Sequence, residues 1–177
     1  TDILNKAFFV QGFVAGITGN HTLQVDSTKE LVKKQMEYYR KVNTERKYGA
    51  NRIAGEEFLK KNQKDKAVKQ TESGLQYKVI RHGNGEKPLA TDKVKVHYEG
   101  RLIDGTEFDS SYKRNRPTTF PVNQVIKGWT EALELMTVGS KWQLFIPQEL
   151  AYGDREQDKI KSYSCLVFTV ELLEIVK

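Results

Sequence analysis

Three stretches hold the side chains whose types and spacing bear on chemistry: residues 94–111 (VKVHYEGRLIDGTEFDSS), 125–129 (VIKGW) and 150–153 (LAYG). Aromatic and apolar residues recur across all three, with Asp109 the acid set among them. No nucleophile paired with a base and no metal-ligand cluster accompanies them, which favours a pocket that binds and twists its ligand over one that cuts it. Ser110, His97 and Asp109 are triad residue types without a nucleophile elbow around them. His21, His82 and His97 lack metal-ligand spacing and a nearby cysteine pair. GNGEK, starting at Gly83, is a turn without the Lys-Ser/Thr ending of a phosphate loop. The pattern calls for neither cofactor nor metal.

Such a pocket needs a core to hold it. With 177 residues and 38% apolar content, the chain supports one core of about a hundred residues plus an accessory part. The net charge of +6 is uneven: residues 1–73 hold 14 Lys and Arg against 9 Asp and Glu, while residues 74–177 hold 15 against 14. The basic excess sits where KK, EE and KDK interleave, the mark of a solvated helix surface and not of a nucleic-acid face. Cys165 is the only cysteine, so no intrachain disulfide is available, and the apolar run SCLVFTV marks it as a buried, inert thiol. The longest uncharged run, residues 7–20, is too short to span a bilayer, so no transmembrane segment is expected. The chain begins at Thr1 without a Met, which reads as trimming of an upstream targeting segment.

Residues 1–48 read as a helical dimerisation domain. Ile3, Ala7, Val10, Val14 and Ile17 follow one helix face, and Phe8, Phe9 and Phe13 widen it until two faces need covering, a cover that a partner chain supplies. Gly12 and Gly16 allow close backbone approach. Gly19, Asn20 and His21 end that helix. Asp26 or Ser27, the latter with Glu30 in capping-box spacing, starts a second helix with the stripe Val32, Met36, Tyr39 and Val42. Gly49 and Asn51 interrupt or bend it, and residues 49–73 form a long connecting helix, polar nearly all round.

At residues 71–74 (TESG) the period changes. Leu75, Tyr77 and Val79, then Val94, Val96 and Tyr98, alternate as strand residues do. Gly83, Asn84 and Gly85 make one turn, and Asp104 with Gly105 makes another between the arms RLI and TEF. Residues 125–136 carry the helical pattern of this part, with Trp129, Leu133 and Met136 on one side and Gly139 just beyond the end. Residues 141–146 and 164–176 return to strand, the latter with Leu166, Phe168, Val170 and Leu172 on one face. The expected fold class is α+β: residues 74–177 form an antiparallel half-barrel sheet wrapped around one short helix, preceded by the all-α domain and its connector.

The blocks VHYEGRLIDGTEFDSS, FPVNQVIKGW, EALELMTVGSKWQLFIP, LAYG and LVFTVELL occur in the order and spacing of the FKBP-type peptidyl-prolyl cis-trans isomerases, which residues 74–177 resemble over nearly their whole length. QGFVAGI, the second helix and the polar helix leading into SGLQYKVI are similar to the bacterial Mip-like and FkpA-like branch. The resemblance implies an isomerase that accelerates X-Pro rotation in unfolded or folding proteins. It further implies chaperone activity, a V-shaped homodimer joined through N-terminal helices, and macrolide inhibitors as ligands. The implied location is the bacterial periplasm or cell envelope, with a lipid anchor upstream as one form of attachment. The alternative is a non-catalytic holdase that grips clients in the cleft between two arms.

Carried over one at a time, the family's catalytic positions are Tyr98, Phe108, Asp109, Trp129, Tyr152 and Phe168, and its substrate-binding positions are Phe120, Val125, Ile126 and Ile160. The resemblance makes the Trp129 indole the floor beneath the pyrrolidine ring, gives the Ile126 N–H and the Tyr152 hydroxyl to substrate carbonyls, and sets Phe120 in the wall. Asp109 is assigned a polar contact with the twisted carbonyl or with Tyr98, not proton transfer, and a salt bridge to Arg114 is compatible with either. The chain departs from the family at Thr118, where many members carry an aromatic. It also departs over residues 154–164 (DREQDKIKSYS), which lack the usual Gly- and Pro-rich run and offer Tyr163 as a replacement contact. That loop bears on macrolide binding more than on activity.

Overall fold

A computed structural model describes residues 25–176. The apolar stripe of residues 3–17, the Gly12 and Gly16 pair and the break at residues 19–21 lie outside the described residues. Helix α1 runs over Val25–Asn62, straight through Gly49 and Asn51. A single glycine costs a helix only about 1 kcal/mol. Asn51 sends its amide outward to the Ser162 carbonyl (3.1 Å) and does not compete for its own helix backbone.

The expected connecting helix is shorter than residues 49–73. It ends at Asn62 with Lys60 and Lys61 in its last turn, where positive charge suits the helix dipole. Asp65 then accepts from the Ala67 N–H (2.9 Å) in a tight turn, and Val68–Gln70 becomes strand β1. Contacts divide the chain into Thr1–Asn43 and Thr44–Lys177. In the first unit, Val32 (56%) and Met36 (67%), two residues of the predicted second stripe, are exposed to solvent.

The second unit holds β1, β2 (Gln76–Arg81), β3 (Lys93–Leu102), β4 (Glu107–Ser110), β5 (Thr118–Pro121), β6 (Lys141–Ile146) and β7 (Leu166–Val176). All pairings are antiparallel in the order β1-β2-β6-β7-β3-β4, with β5 on β3 alongside β4. Helix α2 covers Lys127–Leu135, trimmed from the predicted span because Ile126 and Met136 are extended caps. This is the α+β class expected.

Period-two alternation turns Val94, Val96 and Tyr98 of β3 and Leu166, Phe168, Val170 and Leu172 of β7 inward, where Trp129, Ala132 and Leu133 of α2 and its cap residue Met136 meet them. Each Leu, Ile or Val buried there contributes roughly 1.5–3 kcal/mol. On β6, Phe145 lies on the opposite side from Leu144 and Ile146, yet it is buried because Phe58 of α1 covers it at 6.0 Å. The same end of α1 is tied to β2 through Gln76, 1% exposed, whose amide donates to the Leu59 carbonyl (3.1 Å) and accepts from Asn62 (2.9 Å).

One irregularity aims two neighbouring side chains. Gly100 pairs with Asp109 and Arg101 with Glu107, so Phe108 is the extra residue of a β-bulge. A regular strand would send Phe108 and Asp109 to opposite faces; the bulge turns both toward one cavity. Gly100 makes room, since a Cβ there would stand 2.5 Å from the Phe108 ring and 2.7 Å from that of Phe168.

Candidate active site

Trp129, in the first turn of α2, meets three rings edge to face: Tyr98 at 5.3 Å, Phe120 at 5.8 Å and Phe168 at 5.2 Å. Phe108 stands against Phe168 at 5.5 Å, and Tyr98 against Phe120 at 5.8 Å. Such contacts fix ring orientation as well as burying area. The strands supply Tyr98 (β3), Phe108 (β4), Phe120 (β5) and Phe168 (β7), and α2 supplies the indole between them. The cavity they enclose, about 710 Å³, is also lined by Asp109, Val125, Ile126, Tyr152 and Ile160, so every residue carried over by resemblance faces one space.

The polar groups are few. Asp109 accepts from the Tyr98 hydroxyl through one carboxylate oxygen and from Arg114 through the other, and Arg114 also donates to the Tyr98 hydroxyl oxygen at 3.0 Å. Of the three contacts considered for Asp109, those to Tyr98 and to Arg114 are made within the chain. Burial pushes the Asp109 carboxyl up, but the bonds from Tyr98 and Arg114 outweigh it and hold the group below the ordinary carboxylate range. Burial and donation to Asp109 push Tyr98 above the usual phenol range. Burial, then the Asp109 charge, does the same to Tyr152. Among the described residues the Tyr152 hydroxyl has no hydrogen-bond partner, the buried Trp129 Nε1 has none, and the N–H of Ile126, capping α2, has no acceptor. Of these, the Ile126 and Tyr152 donors belong to residues that line the apolar space, and they suit a ligand that brings carbonyl oxygens.

A serine and a histidine do meet nearby. His97 Nδ1 lies 2.9 Å from Ser111 Oγ, but Ser111 is 0% exposed and is held by the Tyr98 backbone N–H at 2.7 Å, while Asp109 is engaged elsewhere. Among the described residues, no serine, threonine, cysteine or histidine lines the cavity.

The loop after Tyr152 supplies the rim. Gln157 and Ile160 exchange backbone bonds of 2.9 and 2.8 Å, which brings Arg155, Gln157, Asp158 and Lys159 to the cavity beside Ile160. Sequence reasoning named Ile160 but not these polar and charged neighbours, although their place in the aligned loop was the available signal. Tyr163 and Thr118 are not part of the lining.

With this geometry, the comparisons with known proteins are specific. Residues 84–173 match the family model described as FKBP-type peptidyl-prolyl cis-trans isomerase, and residues 1–79 match that of the domain amino terminal to it. The chain belongs to the FKBP-type peptidyl-prolyl cis-trans isomerases. This FKBP-type chain is 49% identical over 169 residues to the isomerase FkpA of Aeromonas hydrophila, covering 92% of itself and 63% of that relative. It is 38% identical over 179 residues to the outer membrane protein MIP of Legionella longbeachae, covering 98% of itself and 77% of that protein. The crystal structure of FkpA from Escherichia coli resembles it with a TM-score of 0.73 at 37% identity, over 97% of this chain and 82% of that one. Among the described residues no helix is long and apolar enough to cross a membrane.

Proposed function

We propose that this member of the family accelerates rotation about X-Pro bonds of folding chains, with the proline ring seated on Trp129 between Tyr98, Phe108, Phe120 and Phe168. The observation that carries the reading is the aromatic cavity with unpaired donors at Ile126 and Tyr152 and no serine, threonine, cysteine or histidine among the described residues that line it. Rotation must break amide conjugation, a barrier of about 18–20 kcal/mol, and unassisted X-Pro exchange takes tens to hundreds of seconds. The twisted amide has lost its charge separation and is less polar than the planar one. A dry aromatic site therefore favours it over the ground state, and that difference is what acceleration requires.

The Ile126 N–H and the Tyr152 hydroxyl receive the substrate carbonyls and hold the backbone on either side of the turning bond. Asp109, ionised and paired with Arg114, fixes the Tyr98 hydroxyl; as an acceptor it meets the twisted carbonyl at its electropositive carbon, not at its oxygen, and it transfers no proton. The finer reading adds a homodimer through the N-terminal segment, client holding by that dimer, and an envelope location. Supporting it are the match of residues 1–79 to the amino-terminal domain, the exposure of Val32 and Met36, and the name of the Legionella relative. The test is a protease-coupled assay on a proline tetrapeptide: a rate well above background is expected. No rate above background, with aggregation of a denatured client still suppressed, leaves the holdase reading in its place.

A further inference from the structure

The cavity rim formed by residues 154–164 holds its shape without glycine or proline. Asp158 (φ 45) and Tyr163 (φ 62) both occupy the left-handed region, which non-glycine residues keep only where their surroundings over-determine it. Part of that surrounding is internal: Tyr163 N–H donates to the Gly153 carbonyl at 2.7 Å, and Ser162 Oγ to that of Asp154 at 2.9 Å. The rest comes from α1. Tyr48, Asn51, Gly55, Phe58 and Asn62 follow one another at intervals of three and four, so they share one helix face.

Along that face Asn51 donates to the carbonyl of Ser162, a residue 1% exposed, and Tyr48 lies near enough to Glu156 to help hold its carboxyl below the ordinary range. Gly55 lies so close to Cys165 that an added Cβ would stand 2.9 Å from the cysteine's own. Phe58 and Asn62 fasten the same face to β6 and β2.

We infer that residues 48–62 of α1 splint the cavity rim, with Asn51 and Gly55 as positioning residues that hold residues 154–165 in the shape that brings Ile160 to the bound chain. The catalytic consequence rests on the function proposed above; the positional one stands by itself. Neither residue touches the cavity, so both act through the loop.

The test uses the full chain carrying Asn51→Asp, which sets a carboxylate against the Ser162 carbonyl, or Gly55→Ala, which forces the helix off Cys165. Amide hydrogen exchange at Gln157, Ile160 and Tyr163 is followed beside kcat and KM for tetrapeptides that differ in the residue before proline. Exchange at these amides should quicken about three- to tenfold, the factor one hydrogen bond carries, while the β3 and β7 amides stay protected. KM should rise by a similar factor with kcat nearly unchanged, since the loop shapes binding and not the turning bond. Should Gly55→Ala fail to fold, Asn51→Asp decides. Unchanged loop exchange overturns the splint, and quickened exchange with kcat and KM unaltered for every peptide overturns its catalytic consequence. A wild-type chain without isomerase activity overturns the functional reading instead, and exchange alone then judges the splint.

Discussion

Asp109 carries charge that the site has already spent on its neighbours. Replacing it by alanine strips acceptors from Tyr98 and Arg114, and kcat/KM in the protease-coupled assay should fall about tenfold with the circular dichroism spectrum intact. Tyr152→Phe removes one donor and should cost about two- to tenfold; wild-type rates in both variants would take these residues out of the site. The pH profile follows from the same groups. Asp109 is depressed on folding, so its pairing is complete above the unfolded value of about 3.9 and is lost as pH falls through the lower folded value. Tyr98 and Tyr152 are raised, so their neutral hydroxyls persist past about pH 10 and are lost as pH climbs through the folded values. Between about pH 5 and pH 9, kcat/KM should therefore be flat. A bell within that window would mean that a proton moves in the slow step, and the reading of Asp109 would have to be abandoned.

At the scale of elements, the bulge in β4 and the glycine facing it act together. Gly100→Ala drives a methyl group into Phe108 and Phe168, and urea denaturation should register a loss of about 1–3 kcal/mol together with weakened activity. What was legible in the sequence follows from the same physics. Strands packed on one face against a core must alternate, so Val94, Val96 and Tyr98, and Leu166 through Leu172, announced themselves. The cavity was legible because its aromatic residues and their order match a family, not because periodicity picks them out. The bulge was invisible, since a one-residue shift in pairing leaves no composition trace. The seam between α1 and the sheet was also hidden: its contact face is Tyr48, Asn51, Gly55, Phe58 and Asn62, and a face made largely of amides and glycine does not read as apolar. Gln76 hid for the same reason. A buried amide satisfied by Leu59, Asn62 and Gln70 looks in sequence like any surface glutamine.

For the whole molecule, sedimentation of the full chain should give a dimer, and a monomer would remove the argument that a partner covers Phe8 and Phe13. A fragment starting at Thr44 keeps every contact between α1 and the sheet domain named above, whereas one starting at Gly74 loses Phe58 over Phe145 and both α1 bonds of Gln76. The shorter fragment should melt several degrees lower, as the uncovering of one large aromatic residue implies; equal melting temperatures would mean that α1 merely leans on the domain. The chain carries its own reporter of that seam. Its single thiol, Cys165, lies buried under Gly55 and is pushed up to about 12 by burial. A thiol reagent at neutral pH can reach it only when helix and sheet part, so the rate of labelling counts those openings without any probe having to be introduced.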